Sequence, residues 1–134
     1  MKTPLDIAQR IALILKNKNF DVHIQKSKTT QSIYIKIDYG LGCTIRVSDH
    51  QPRKVSSYRY NVLPTVEKSF EKNDGSVHYY YDYSQIHFLI NDISKRRKFI
   101  FNKIGRKHYN YLLNQHKRNF IIKNTSAYKQ KVYG

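Results

Sequence analysis

Tryptophan is absent and cysteine occurs once, as Cys43. A single thiol excludes a disulfide framework within the chain and any cysteine-based zinc finger, and it fits a reducing compartment. Only three prolines and five glycines are present, and no internal repeat or low-complexity linker divides the chain. No apolar run reaches the ~18 residues of a membrane-spanning helix. Asp6 and Arg10 interrupt the first apolar stretch after Met1-Lys2-Thr3-Pro4, which does not read as a signal peptide, so the expected location is cytoplasmic. Glycine-rich phosphate loops, nucleophile elbows, paired catalytic acids and close histidine pairs are all missing. No cofactor or metal is therefore expected, and the chain does not read as an enzyme.

Acidic residues also stop early. The last one is Asp92, and residues 93–134 hold twelve Lys or Arg and no acid. Residues 1–92 hold thirteen basic and nine acidic residues, so most of the net charge of +16 sits in the C-terminal third. A Lys-rich composition alone does not empty 42 residues of acids. Such asymmetry is the footprint of a polyanionic partner, nucleic acid first. With 134 residues, 40% of them apolar, the chain is one ordinary folding domain.

The apolar patterning predicts an α+β fold with an N-terminal helix, an antiparallel sheet of three to five strands and two basic C-terminal helices. Thr3, Pro4 and Asp6 form a helix start, with Leu5, Ala8, Ile11, Ala12 and Leu15 on the buried face. Alternation marks strands at Asp21–Gln25, Ile33–Asp38, Cys43–Ser48, Tyr58–Leu63 and Val77–Tyr83, the second and third forming a hairpin across Tyr39-Gly40-Leu41-Gly42. A helix capped by Ser84 is expected to bury Ile86, Leu89, Ile90, Ile93, Ile100 and Ile104 and to stop at Gly105. A last helix turns Tyr109, Leu112, Leu113 and His116 inward. The domain is expected over residues 1–118, with 119–134 a loosely ordered basic, aromatic tail.

The candidate nucleic-acid contacts are Lys95, Arg96, Arg97, Lys98, Lys103, Arg106, Lys107, Lys117 and Arg118. Lys95–Lys98 spans a helical turn and so does not lie on one face; a solvated helix surface is the plain alternative. Twelve tyrosines add a second signal. Those in strands, interleaved with Lys36, Arg46 and Arg59, are expected to stack unpaired bases on an open sheet face, although strands favour tyrosine in any case. The Gly-aromatic signature of an RNA-recognition motif is missing, and a double-stranded-RNA domain wants a lysine-rich start to its last helix where this chain has Ser84–Ile90. Six histidines, including His50, His78 and His87, leave a metal-independent ribonuclease as an alternative.

The run from Ser32 to Tyr39, followed by Thr44-Ile-Arg-Val-Ser-Asp-His50 and Tyr58-Arg-Tyr60, resembles a pattern in small proteins of phages and mobile elements. That group includes an anti-CRISPR protein that blocks Cas9, and the resemblance covers about residues 32–60. It implies a phage-encoded inhibitor of a CRISPR effector acting in the bacterial host cytoplasm. Joined to the charge, it suggests capture of the guide RNA (crRNA) or of the guide-loaded effector through a basic surface. A general RNA- or DNA-binding accessory protein of a phage is the alternative. A membrane-surface role is disfavoured, because the basic helices keep no strong apolar face beyond their core side.

Overall fold

The computed structural model describes residues 3–28, 31–41, 43–48, 59–63 and 78–133, with the side chains of residues 59, 78 and 123–133 outside that description. Gly42 of the expected hairpin turn, His50, and Tyr58 and Val77 at the starts of expected strands lie outside the described residues too. Helix α1 runs Pro4–Asn17 and opens on the expected capping box: the Thr3 hydroxyl accepts from the Asp6 amide, and the Asp6 carboxylate accepts from the Thr3 amide, each at 3.2 Å. Strands β1 (Val22–Lys26), β2 (Ile33–Ile37), β3 (Cys43–Val47), β4 (Arg59–Leu63) and β5 (His78–Asp82) follow. Helices α2 (Ile86–Ile104) and α3 (Arg106–Tyr133) complete the chain.

The class is α+β, and the five strands lie side by side in chain order. The sheet is mixed rather than purely antiparallel. β1–β2–β3 pair antiparallel, whereas β3–β4 and β4–β5 pair parallel. Connection length accounts for the split. β2 and β3 are joined by a tight turn, while residues 48–58 and 64–77 are long enough for the crossover of about a dozen residues that parallel neighbours require.

One face of the sheet carries Ile35, Ile37, Ile45, Val47, Tyr60 and Val62, all buried against Ile7, Ile11 and Leu15 of α1 and Leu89 and Ile93 of α2. Each such aliphatic side chain contributes roughly 1.5–3 kcal/mol through removal from water. Ile100 and Ile104, expected in that core, are half-buried at its end.

The β2–β3 turn, Asp38–Gly40, holds three consecutive residues at positive φ, of 52°, 58° and 88°. Glycine adopts this freely, and Asp tolerates it better than most residues, but Tyr39 is strained. Side chains around Asp38 hold the turn in place.

Asp82, rather than Ser84, caps the entry to α2. Its carboxylate accepts from the Ser84 amide at 2.9 Å, and Gln85 returns a side-chain oxygen to the Asp82 amide at 3.1 Å. Between them lies one 3-10 turn, Tyr83–Gln85. Gly105, at φ 84°, separates α2 from α3 as expected. Helix α3 includes residues 119–133 of the segment expected as a tail. No glycine or proline interrupts 106–133, and the helix continues to Tyr133. Phe120 packs there against His23 at 4.6 Å and Tyr39 at 5.5 Å between ring centroids.

Candidate nucleic-acid interface

Helical phase sorts the Lys95–Lys98 run. At 100° per residue, Arg97 follows Ile93 by one turn and precedes Ile100 and Ile104 by one and two. It therefore points inward, while Lys95 and Lys98 point out and Arg96 stands at the border. Burial agrees: Lys95 and Lys98 are exposed, and Arg96 and Arg97 are half-buried.

Arg97 is committed to the fold. Its guanidinium lies 4.2 Å from the Phe20 ring centroid and 5.4 Å from that of Phe101, and it donates to the Asn19 carbonyl at 3.1 Å. Its Nε sits 3.5 Å from the Asp38 carboxylate, an ion pair slightly long for a hydrogen bond. Asp38 is 1% exposed. It also accepts from the Tyr109 hydroxyl and from the Asp21 amide. Three segments distant in sequence thus converge on one carboxylate. Burial, followed by the bond to Asp38, pushes the Tyr109 phenol well above its ordinary range.

Arg46 is likewise not a surface contact. It is buried on β3 and donates to the Ser32 hydroxyl at 3.2 Å. Lys36 is half-buried with its ammonium 5.9 Å from the Phe120 ring centroid. Arg59 occupies β4 opposite Thr44 and His78, and its side chain lies outside the described residues. Two of the strand tyrosines do share a face with the strand cations: Tyr34 stands opposite Arg46, and Lys36, Arg59 and Tyr80 occupy positions on that same side; burial of Arg46 closes that face at its centre. Tyr60, Tyr79 and Tyr81 share the helix-covered face, and the strand cations are placed on the other.

On the helix-covered face, Tyr60, Tyr79 and Tyr81 meet cations from α2. Tyr60, Tyr79, Tyr81, Asp92, Lys95, Arg96 and Phe99 line a cleft of about 420 Å³ where β4 and β5 face the outer side of α2. This lies within the ~300–1,000 Å³ usual for small-molecule sites. Asp92, Lys95, Arg96 and Phe99 reach it together because they stand at i, i+3, i+4 and i+7 on one helix face. Tyr60 and Tyr79 stack at 5.4 Å between centroids. Tyr79 is 42% exposed and Phe99 58% exposed, so both leave aromatic surface uncovered at the cleft. Tyr81 is buried and donates to Asp92 at 2.5 Å. Burial first, and that bond second, hold its phenol far above the ordinary range.

Sequence spacing carried the signal for Asp92 and Phe99, but neither residue type drew attention amid so many cations. Phe88, one helical turn before Asp92, is 65% exposed and extends the aromatic stripe. Lys103 lies 5.9 Å from the Phe99 ring centroid. Arg106, Lys107, Lys117 and Arg118 are all exposed along α3, with no acid in its first turn to offset the positive end of the helix dipole.

Among the described residues, no group of His, Cys, Asp and Glu could hold a metal ion, and no helix is long and apolar enough to cross a membrane. Of the histidines singled out in sequence, His87 is exposed on α2, while His50 and the side chain of His78 lie outside the described residues. The segment carrying the phage-protein resemblance contributes Ile45 and Val47 to the core and Arg46 and Ser48 as buried polar groups, all of them structural positions. Compared with known proteins, the chain matches no family model, no curated protein and no solved structure.

Proposed function

We propose that this chain binds unpaired nucleic acid, RNA first, through the α2 cleft and the exposed cations of α2 and α3. The observation that carries this reading is the cleft, where uncovered aromatic rings and two cations converge. Stacking on aromatic side chains needs a base whose face is free, which a duplex does not offer, and cations beside the rings suit the linking phosphates. Lys95 and Lys103, on either side of Phe99 along the helix, are separated by about 12 Å at the helical rise per residue, roughly two nucleotide steps along an extended strand, and Lys98 adds positive charge beside Lys95. A phage-encoded inhibitor that captures the guide RNA of a CRISPR effector is the narrower form of the proposal. Its support is the resemblance of residues 32–60 together with the positive charge.

The test is fluorescence anisotropy with a labelled single-stranded RNA of a dozen nucleotides, set against duplex DNA of equal length, over a salt series. Tighter binding to the single strand is expected. Replacing Lys95, Lys98 and Lys103 together by alanine should weaken it and flatten the log–log salt slope by about 2, at ~0.7 per lost phosphate contact. Equal affinity for the duplex, or an unchanged slope in the triple variant, would overturn the proposal. The guide-capture form is checked by adding the protein to guide RNA before an effector is loaded. Undiminished cleavage would remove it.

A further inference from the structure

Asp92 is the only acid in α2 and α3, and it stands inside the cleft that the proposed function assigns to an unpaired base. A carboxylate between Lys95 and Arg96 weakens attraction for phosphate, so a site built only to hold a nucleic-acid backbone has no use for it there. Within the fold it accepts the Tyr81 hydroxyl. That bond occupies one of the four or so lone-pair sites a carboxylate offers and fixes the orientation of the group. Asp92 remains half-exposed on the cleft wall.

We propose that the cleft selects a nucleobase whose edge presents neighbouring N–H donors, guanine above all, with Asp92 as the reading group. The inference rests on the nucleic-acid-binding reading of the same cleft. An ionised carboxylate only accepts hydrogen bonds. Guanine offers N1–H and N2–H side by side, which match its two oxygens. Cytosine and adenine each offer one amino group next to an acceptor. Uracil flanks its single N–H with two carbonyl oxygens, which the carboxylate repels. The exposed ring surface of Tyr79 and Phe99 supplies the stacking platform, and Lys95 and Arg96 the partners for the attached phosphate.

The experiment compares an all-uridine octamer with the same octamer carrying one central guanosine, using the full chain and anisotropy. Free GMP and UMP are titrated in parallel by NMR, following the tyrosine ring signals. A bidentate base contact is worth roughly 1–3 kcal/mol, so the guanosine should tighten binding by about 5- to 150-fold. Asp92→Asn keeps an oxygen for Tyr81 but presents an amide, and it should bring that ratio to about one. Because Asp92→Asn touches a buried tyrosine, Tyr79→Ala at the exposed sheet edge serves as second variant. It should weaken the guanosine octamer more than it weakens the uridine one. Binding of both octamers with equal affinity would overturn base selection and leave the nucleic-acid reading standing. Binding of GMP alone, with neither octamer bound, would support base selection and remove the nucleic-acid reading. No binding of any ligand would overturn both.

Discussion

Replacing Arg97 by alanine separates a cation that builds the molecule from cations that face a partner. The guanidinium is about one-fifth exposed and pairs with a carboxylate that is 1% exposed. Removing one partner of a buried pair costs about 3–5 kcal/mol. Here the lower end applies, because the separation is 3.5 Å and Asp38 keeps the Tyr109 hydroxyl and the Asp21 amide. Loss of the Asn19 carbonyl bond and of the stacking on Phe20 adds about 1 kcal/mol more. A destabilisation of about 3–4 kcal/mol is expected, a large share of the ~5–15 kcal/mol that holds a domain together. With a urea slope of about 1.5–2 kcal/mol per molar, the unfolding midpoint should fall by about 2 M. Lys98→Ala, one residue along and exposed, should move it by less than ~0.3 M, the scale of an ordinary surface substitution. An Arg97→Ala midpoint within that same margin would refute the reasoning. A double-mutant cycle with Asp38→Asn then isolates the pairing energy from the packing of the side chain.

Alkali and thiol chemistry give two further checks. Tyr81 and Tyr109 both have raised phenol pKa values, against 10.0 for a free phenol. Above pH 10 the unfolded chain therefore loses protons that the native chain keeps. The unfolded state then binds fewer protons, so stability is intact below pH 10 and falls as pH rises, by about 1.4 kcal/mol per pH unit for each tyrosine. Urea midpoints measured at pH 9, 10 and 11 should show the decline, and Tyr81→Phe should reduce its steepness by about half. An equal decline in that variant would contradict the assignment. Cys43 is 5% exposed and burial pushes its thiol up to about 12. A thiol-reactive dye at pH 8 should leave the native protein unlabelled and label one thiol per chain in urea; rapid native labelling would show that the β3 core face opens readily.

Local chemistry made much of the fold legible. The Thr3–Asp6 capping box, the tight β2–β3 hairpin, the buried stripe of α2 and the inward placing of Tyr109 each depend on residues close in sequence. Parallel pairing of β4 and β5 was hidden, because strand partners joined by long connections leave no short-range mark. Residue type singled out Arg97 and Arg46 in the sequence, whereas their positions give them partners inside the fold. The spacing from Ile93 to Arg97 to Ile104 already placed Arg97 on the buried stripe. The strand tyrosines divide between the two faces of the sheet: Tyr34 meets Arg46 across the β2–β3 pair, whereas Tyr60, Tyr79 and Tyr81 meet cations of α2. Only the assembled sheet brings Tyr79 and Tyr81 beside Lys95.

The mixed pairing of the sheet also bears on the order of assembly. β1, β2 and β3 meet through short connections, so little chain entropy opposes their early formation. The parallel strands must close longer loops first, and the cleft needs both of them together with α2. Contacts absent from a folding transition state act mainly on the unfolding rate. A ligand seated in the cleft would then lengthen the lifetime of the native molecule and leave its rate of folding nearly untouched.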